Sequence, residues 1–107
     1  MVFNKIKDGV RALGFEVLRA DNDGYFEAVF IKDGLAKLNE RLKQFLGEPV
    51  FPSEDKLTLQ IEEAIKGFGG IQQGQTLFFQ IEGANFTFAM LWPWSDGLHT
   101  TIKLIHK

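Results

Sequence analysis

A chain of 107 residues with 45% hydrophobic and 24% charged side chains has the length of one domain and a composition that excludes a disordered chain. Zero cysteines exclude disulfides, thiolate metal sites and cysteine nucleophiles. The formal charge of −2 comprises eight basic and seven acidic residues over 1–47 and four and seven over 48–107, so neither part holds the basic stripe of a nucleic-acid surface.

No segment has the eighteen or so consecutive apolar residues of a membrane span. The opening Met1-Val2-Phe3-Asn4-Lys5 meets charge too early for a signal peptide. The expectation is therefore one cytoplasmic domain over 1–107. Eleven phenylalanines are unusual for this length and predict a core built mainly of rings, or rings that face a partner.

In chain order, Phe3, Ile6, Val10 and Leu13 recur at helical spacing, with Lys5, Lys7, Asp8 and Arg11 on the other side. Gly14 stands where a left-handed C-terminal cap belongs, and Gly9 is the weak point of this first helix. Residues 15–20 and 25–31 read as strands flanking Asp21-Asn22-Asp23-Gly24, whose residue types tolerate hairpin turn geometry. The second strand is largely apolar on both faces, so it is expected to be covered on both sides or to lie near an interface.

Lys32-Asp33-Gly34 opens a second helix, with Asp33 as the expected N-cap and Leu35, Leu38, Leu42, Phe45 and Leu46 as its apolar stripe. Gly47 and Pro49 stop it. Residues 48–53 form a stiff internal linker from which Val50 and Phe51 reach the core. Ser53 is placed to cap a third helix, with Glu54 and Asp55 favourable in its first turn. Leu57, Ile61, Ala64, Ile65 and Phe68 carry that helix, and Gly67, Gly69 and Gly70 end it.

Three strands follow at about 76–82, 86–94 and 98–105, separated by turns suited to hairpins. Phe86, Phe88, Met90, Trp92 and Trp94 share one face of the middle strand, with Phe78 on an adjacent strand. Pro93 cannot donate to a sheet ladder, which puts Trp92-Pro93-Trp94 at an edge, a bulge or a strand end. The order α-β-β-α-α-β-β-β predicts an α+β fold: three helices with an antiparallel sheet of about five strands, a hairpin plus a three-strand meander.

Possible chemistry is sparse. Gly67-Phe68-Gly69-Gly70 follows a helix instead of leading into one, which is the wrong polarity for a phosphate cradle. A calcium loop aligned on Gly24 would need a ligand where Arg19 stands and a glutamate where Phe30 stands. Ser95, Asp96 and His99 are hydrolytic residue types, but their closeness in sequence is that of a turn and a strand start. His99 and His106 point to opposite faces of one strand, so a shared metal site is not expected.

The aromatic set carries the functional expectation. With only three short helices to cover strands apolar on both faces, one sheet face is expected to lack an intramolecular cover. The reading is a non-enzymatic interaction module, a homodimer formed through an aromatic sheet face or a small adaptor for another protein, with no cofactor, metal, nucleic acid or membrane. Its ligand or interface candidates are Trp92, Trp94, Tyr25, Phe78 and His99. The alternative is a small-molecule-binding or catalytic domain. It would have an aromatic-lined pocket near Trp92, Trp94 and His99, with Gln60, Gln80 or Arg19 giving polar selectivity.

Overall fold

Strand periodicity and helical stripes resolve into eight elements in the computed structural model, which describes residues 2–53 and 56–107. These are α1 (Val2–Arg11), β1 (Val17–Asn22), β2 (Tyr25–Ile31), α2 (Lys32–Leu46), α3 (Leu59–Lys66), β3 (Thr76–Glu82), β4 (Asn85–Pro93) and β5 (His99–His106). The α+β order read from the sequence holds. One five-stranded antiparallel sheet forms in the order β1-β2-β5-β4-β3, with the β2–β5 pairing joining the hairpin to the meander.

Alternation sends two apolar sets to opposite faces. Phe26, Ala28 and Phe30 of β2, Ile102 and Leu104 of β5, Ala89 and Leu91 of β4, and Phe78 of β3 form one core with Phe3, Ile6 and Val10 of α1 and Leu38, Leu42 and Leu46 of α2. Leu77, Phe79, Phe88, Met90 and Ile105 form the other with Ile61 and Ile65 of α3, flanked by Val50, Phe51, Phe68 and Trp92. Phe51 also bridges to Leu77 on β3, the outer strand on that side.

Gly9, a weakness in helix propensity, is where α1 meets α2. A Cβ there would lie 3.2 Å from Arg41 Nη1 and from Phe45 Cε2, and the Arg41 guanidinium donates to the Gly9 carbonyl at 3.1 Å. Close helix approach needs the missing side chain.

The strand ends of β1, β4 and β5 shift by one or two residues from the sequence reading, and three differences have a visible cause. β1 runs to Asn22, leaving a two-residue Asp23-Gly24 turn with Gly24 at φ +106°. Asp21 stays in the strand because Lys7 Nζ at 3.0 Å and Arg11 Nη1 at 2.6 Å reach it from α1. A register shift between Leu18 and Ala20 then bulges the chain at Arg19.

Asp33 is not the N-cap of α2. Ile31, the last residue of β2, occupies that position without a side-chain hydrogen bond, and the strand passes straight into the helix. The Lys32 amide is instead satisfied by the Leu98 carbonyl at 2.8 Å. Asp33 sits in the first turn, where its charge favours the helix dipole.

The third helix starts later than expected. Thr58 caps it, its hydroxyl accepting from the Ile61 amide at 3.3 Å, and Leu57 packs from non-helical backbone. The expected roles of Glu54 and Asp55 lie outside the described residues.

Candidate functional site

The sheet face under α3 is best followed row by row. Its first row, Phe79–Phe88–Ile105–Tyr25, and the Leu77 and Met90 positions beside it lie in the α3 core. The next row runs Met90–Lys103–Glu27–Ala20, and its facing charges mark where the apolar cover ends. Beyond it come Trp92–Thr101–Val29–Val17, then His99 opposite Ile31. The aromatic row of β4 is thus covered by α3 and its flanking loops. What α3 leaves open is the far corner, where β1, β2 and β5 meet the β4–β5 turn.

Trp94 folds over that corner. Its amide donates to the His99 carbonyl and its indole N–H to Thr101 Oγ1, both at 2.8 Å. Its ring lies 4.8 Å from the His99 ring, with the Arg19 guanidinium 5.6 Å from its centroid. Pro93 ends β4 opposite Thr100, and the Trp94 amide makes the last backbone bond to β5 before the turn. Four large apolar side chains stay exposed here: Val17 at 46%, Ile31 at 45%, Trp94 at 39% and Leu98 at 58%.

His99 is gripped from both sides. Asp96 Oδ2 stands 2.6 Å from Nδ1 and Glu16 Oε2 stands 2.8 Å from Nε2. Asp96 Oδ1 accepts the Leu98 and His99 amides at 2.8 and 3.1 Å, so the carboxylate is fixed by its own turn. The Leu98 amide and then the imidazole hold the Asp96 carboxyl below its ordinary value of 3.8. Asp96 and then Glu16 raise His99 above its ordinary 6.5.

The signs fix a pH window. The raised His99 contributes stability in full below pH 6.5 and loses it as pH rises through its folded value. The lowered Asp96 contributes above pH 3.8 and loses it as pH falls through its folded value. The clasp is therefore strongest between those limits. His99 ring protons followed by NMR are expected to titrate above 6.5, and Asp96→Asn is expected to bring the midpoint down; a midpoint at or below 6.5 in the wild type contradicts the clasp.

A triad is not assembled, because the ring nitrogen that a serine would need faces Glu16. His106 lies on the other side of β5, stacked on Phe3 at 5.7 Å and 2.8 Å from Thr87 Oγ1. Among the described residues no group of three or more His, Cys, Asp or Glu is arranged to hold a metal.

Of the sequence candidates, the structure brings Trp94 and His99 together. Trp92 lies one row inward, with Lys103 Nζ 3.6 Å from its ring centroid and Gly69 against its outer edge. Tyr25 is farther along the same face, stacked on Phe68 at 6.1 Å. Its hydroxyl donates to Glu27, and burial, with that bond and charge, raises its pKa. Phe78 is fully buried in the opposite core beneath α2, away from the corner. Arg19 reaches the corner, whereas Gln60 lies on α3 and Gln80, on β3, pairs in register with Thr87 of β4.

Sequence reasoning missed Glu16, Ile31 and Leu98. The available signal was an exposed Leu98 directly after an Asp-Gly turn, and Ile31 at the end of a strand with no polar residue before the helix.

The Trp92 indole N–H is buried without a hydrogen-bond partner among the described residues, a cost of about 1–3 kcal/mol. Trp92→Phe removes the stranded donor while keeping a ring. Its stability in urea is expected within about 1 kcal/mol of wild type, because lost packing offsets the removed penalty. A loss of about 3 kcal/mol would show that the indole N–H is satisfied in solution.

A cavity of about 530 Å³ adjoins the corner between the α1–β1 connection and the start of α2, with Leu13, Phe15, Phe30 and Ile31 as apolar walls and Glu16, Asp33 and Lys37 as polar ones. No helix among the described residues is long and apolar enough to cross a membrane. Comparison with protein-family models, with curated proteins and with solved structures found no match to this chain.

Proposed function

We propose that the protein is a small non-enzymatic interaction module of the cytoplasm that pairs with a second copy through the Val17–Ile31–Trp94–Leu98 corner. The observation that carries this is the clustering of four exposed apolar side chains at the one end of the sheet face that α3 leaves open. The charges around them suit self-pairing. Glu16, Asp33 and Asp96 lie among Arg19, Lys32, Lys37 and protonated His99, so a two-fold related copy meets both signs.

The accessible surface of 6343 Å² is close to the ~6,000 Å² of a folded monomer of this mass. The two copies therefore associate as folded bodies, not as an intertwined pair. The bulge at Arg19 and the charged Asp21 disfavour strand addition along the free β1 edge, which points to docking of the corner itself. Serial dilution monitored by amide NMR tests this. Shifts confined to Val17, Ile31, Leu98, His99 and their neighbours are expected; concentration-independent spectra at these positions contradict it.

The cavity beside the corner favours a second reading, a small-molecule site whose polar groups are Glu16, Asp33 and Lys37. Its volume falls within the usual range of roughly 300–1,000 Å³ for ligand sites. That reading expects Trp94 emission to respond to a ligand screen in protein kept monomeric by dilution.

A further inference from the structure

We propose that the Glu16–His99–Asp96 clasp makes self-pairing of the corner pH-dependent, with the dimer favoured while the His99 ring carries both protons. The inference rests on the homodimer reading and adds its regulation.

The geometry supplies the switch. A doubly protonated ring donates from Nδ1 to Asp96 and from Nε2 to Glu16, so one side chain ties the β4–β5 turn to the approach to β1. Once a proton leaves, the neutral ring has a single N–H and must turn a lone pair toward one carboxylate. Asp96 is fixed by two backbone amides and keeps the remaining N–H. Glu16 comes from an exposed connecting segment and is the strut that opens.

The charge balance changes with it. The groups around the ring are Glu16 before β1, Asp96 in the turn, Lys32 and Asp33 at the start of α2, and Arg19 on β1 across the Trp94 ring. Lys37 stands with Glu16 and Asp33 around the adjoining cavity, and Arg19 also faces Glu27 at 3.8 Å, so the charge this set loses with pH is the one on His99. Above its pKa the ring no longer neutralises Glu16, and a second copy covering the corner must then desolvate a carboxylate that has lost its partner. The clasp borders Ile31 and Leu98, so Glu16 is released beside the apolar contact itself.

Sedimentation equilibrium at pH 5.5 and pH 8.5, on wild type, His99→Gln and Glu16→Gln, tests the proposal. The wild-type dissociation constant is expected to rise about tenfold at the higher pH, within the usual range of coupled equilibria. By reciprocity, with two sites per dimer, His99 should titrate about half a pH unit higher in the dimer than in the monomer. His99→Gln should flatten the pH dependence, and Glu16→Gln should reduce it. A dimer of unchanged affinity across this range overturns the switch and leaves the homodimer standing. Unchanged pH dependence in His99→Gln also overturns it. A single-chain mass at every pH and concentration overturns both.

Discussion

Phe78→Ala is expected to destabilise the protein by about 3–5 kcal/mol, measured as a lower midpoint in urea with an unchanged slope. The ring is fully buried in the layer between β3 and α2, among Ala89, Leu91 and the leucines of α2. Truncation leaves a cavity that a sheet strand held on one side by β4 and on the other by the Phe51 bridge cannot collapse to fill. Leu42→Ala, in the same core, is expected to cost about 2–5 kcal/mol and serves as a comparison. A loss under about 1 kcal/mol at Phe78 would place that ring outside the core, and with it the assignment of the two sheet faces.

Ile31→Glu is the largest expected effect on assembly. Ile31 lies opposite His99 at the end of β2, with nearly half its surface open, and adds a carboxylate to a corner already holding Glu16, Asp33 and Asp96 when substituted. Burying it against a second copy would strand a charge among apolar groups. The dissociation constant is expected to rise at least about thirtyfold, the effect of losing an interface hot spot. Far-ultraviolet circular dichroism of the diluted variant should match wild type, because the side chain is not part of either core. Leu59→Glu is the control: Leu59 is 73% exposed at the start of α3, outside the corner, and the substitution should leave association unchanged. Equal effects at both positions would mean general loss of solubility in place of a defined interface.

Most of the fold was legible because its punctuation is local. Gly14 and Gly47 adopt positive φ at helix ends, and the turn glycines Gly24, Gly83 and Gly97 do so between strands. Strand alternation likewise sorted Phe86, Phe88, Met90 and Trp92 onto one face. The errors arose where a nonlocal contact replaced a local signal. Leu98 satisfies the Lys32 amide that a capping side chain would otherwise relieve, so Asp33 is not used as a cap. Lys7 and Arg11 keep Asp21 in a strand that its propensity disfavours.

The candidate site was half legible for the same reason. Trp94 and His99 stood out as an aromatic beyond a strand-ending proline and a titratable residue next to a turn. Their partners Glu16 and Ile31 belong to the other hairpin and reach them only through the β2–β5 pairing, which no local pattern specifies. Phe78 illustrates the limit of composition. It resembled its aromatic neighbours, yet strand parity in the folded sheet puts it in the opposite layer from Leu77 and Phe79. The expectation of a wholly uncovered aromatic face gave way to a smaller open corner, because α3 and the 68–71 loop cover the rest.

The central claim, that this corner pairs with a second copy, is tested most directly by the native mass at pH 5.5 over a hundredfold range of concentration. The mass is expected to climb from the 12.1 kDa of one chain toward twice that value as concentration increases. A mass that stays at one chain throughout would contradict self-pairing.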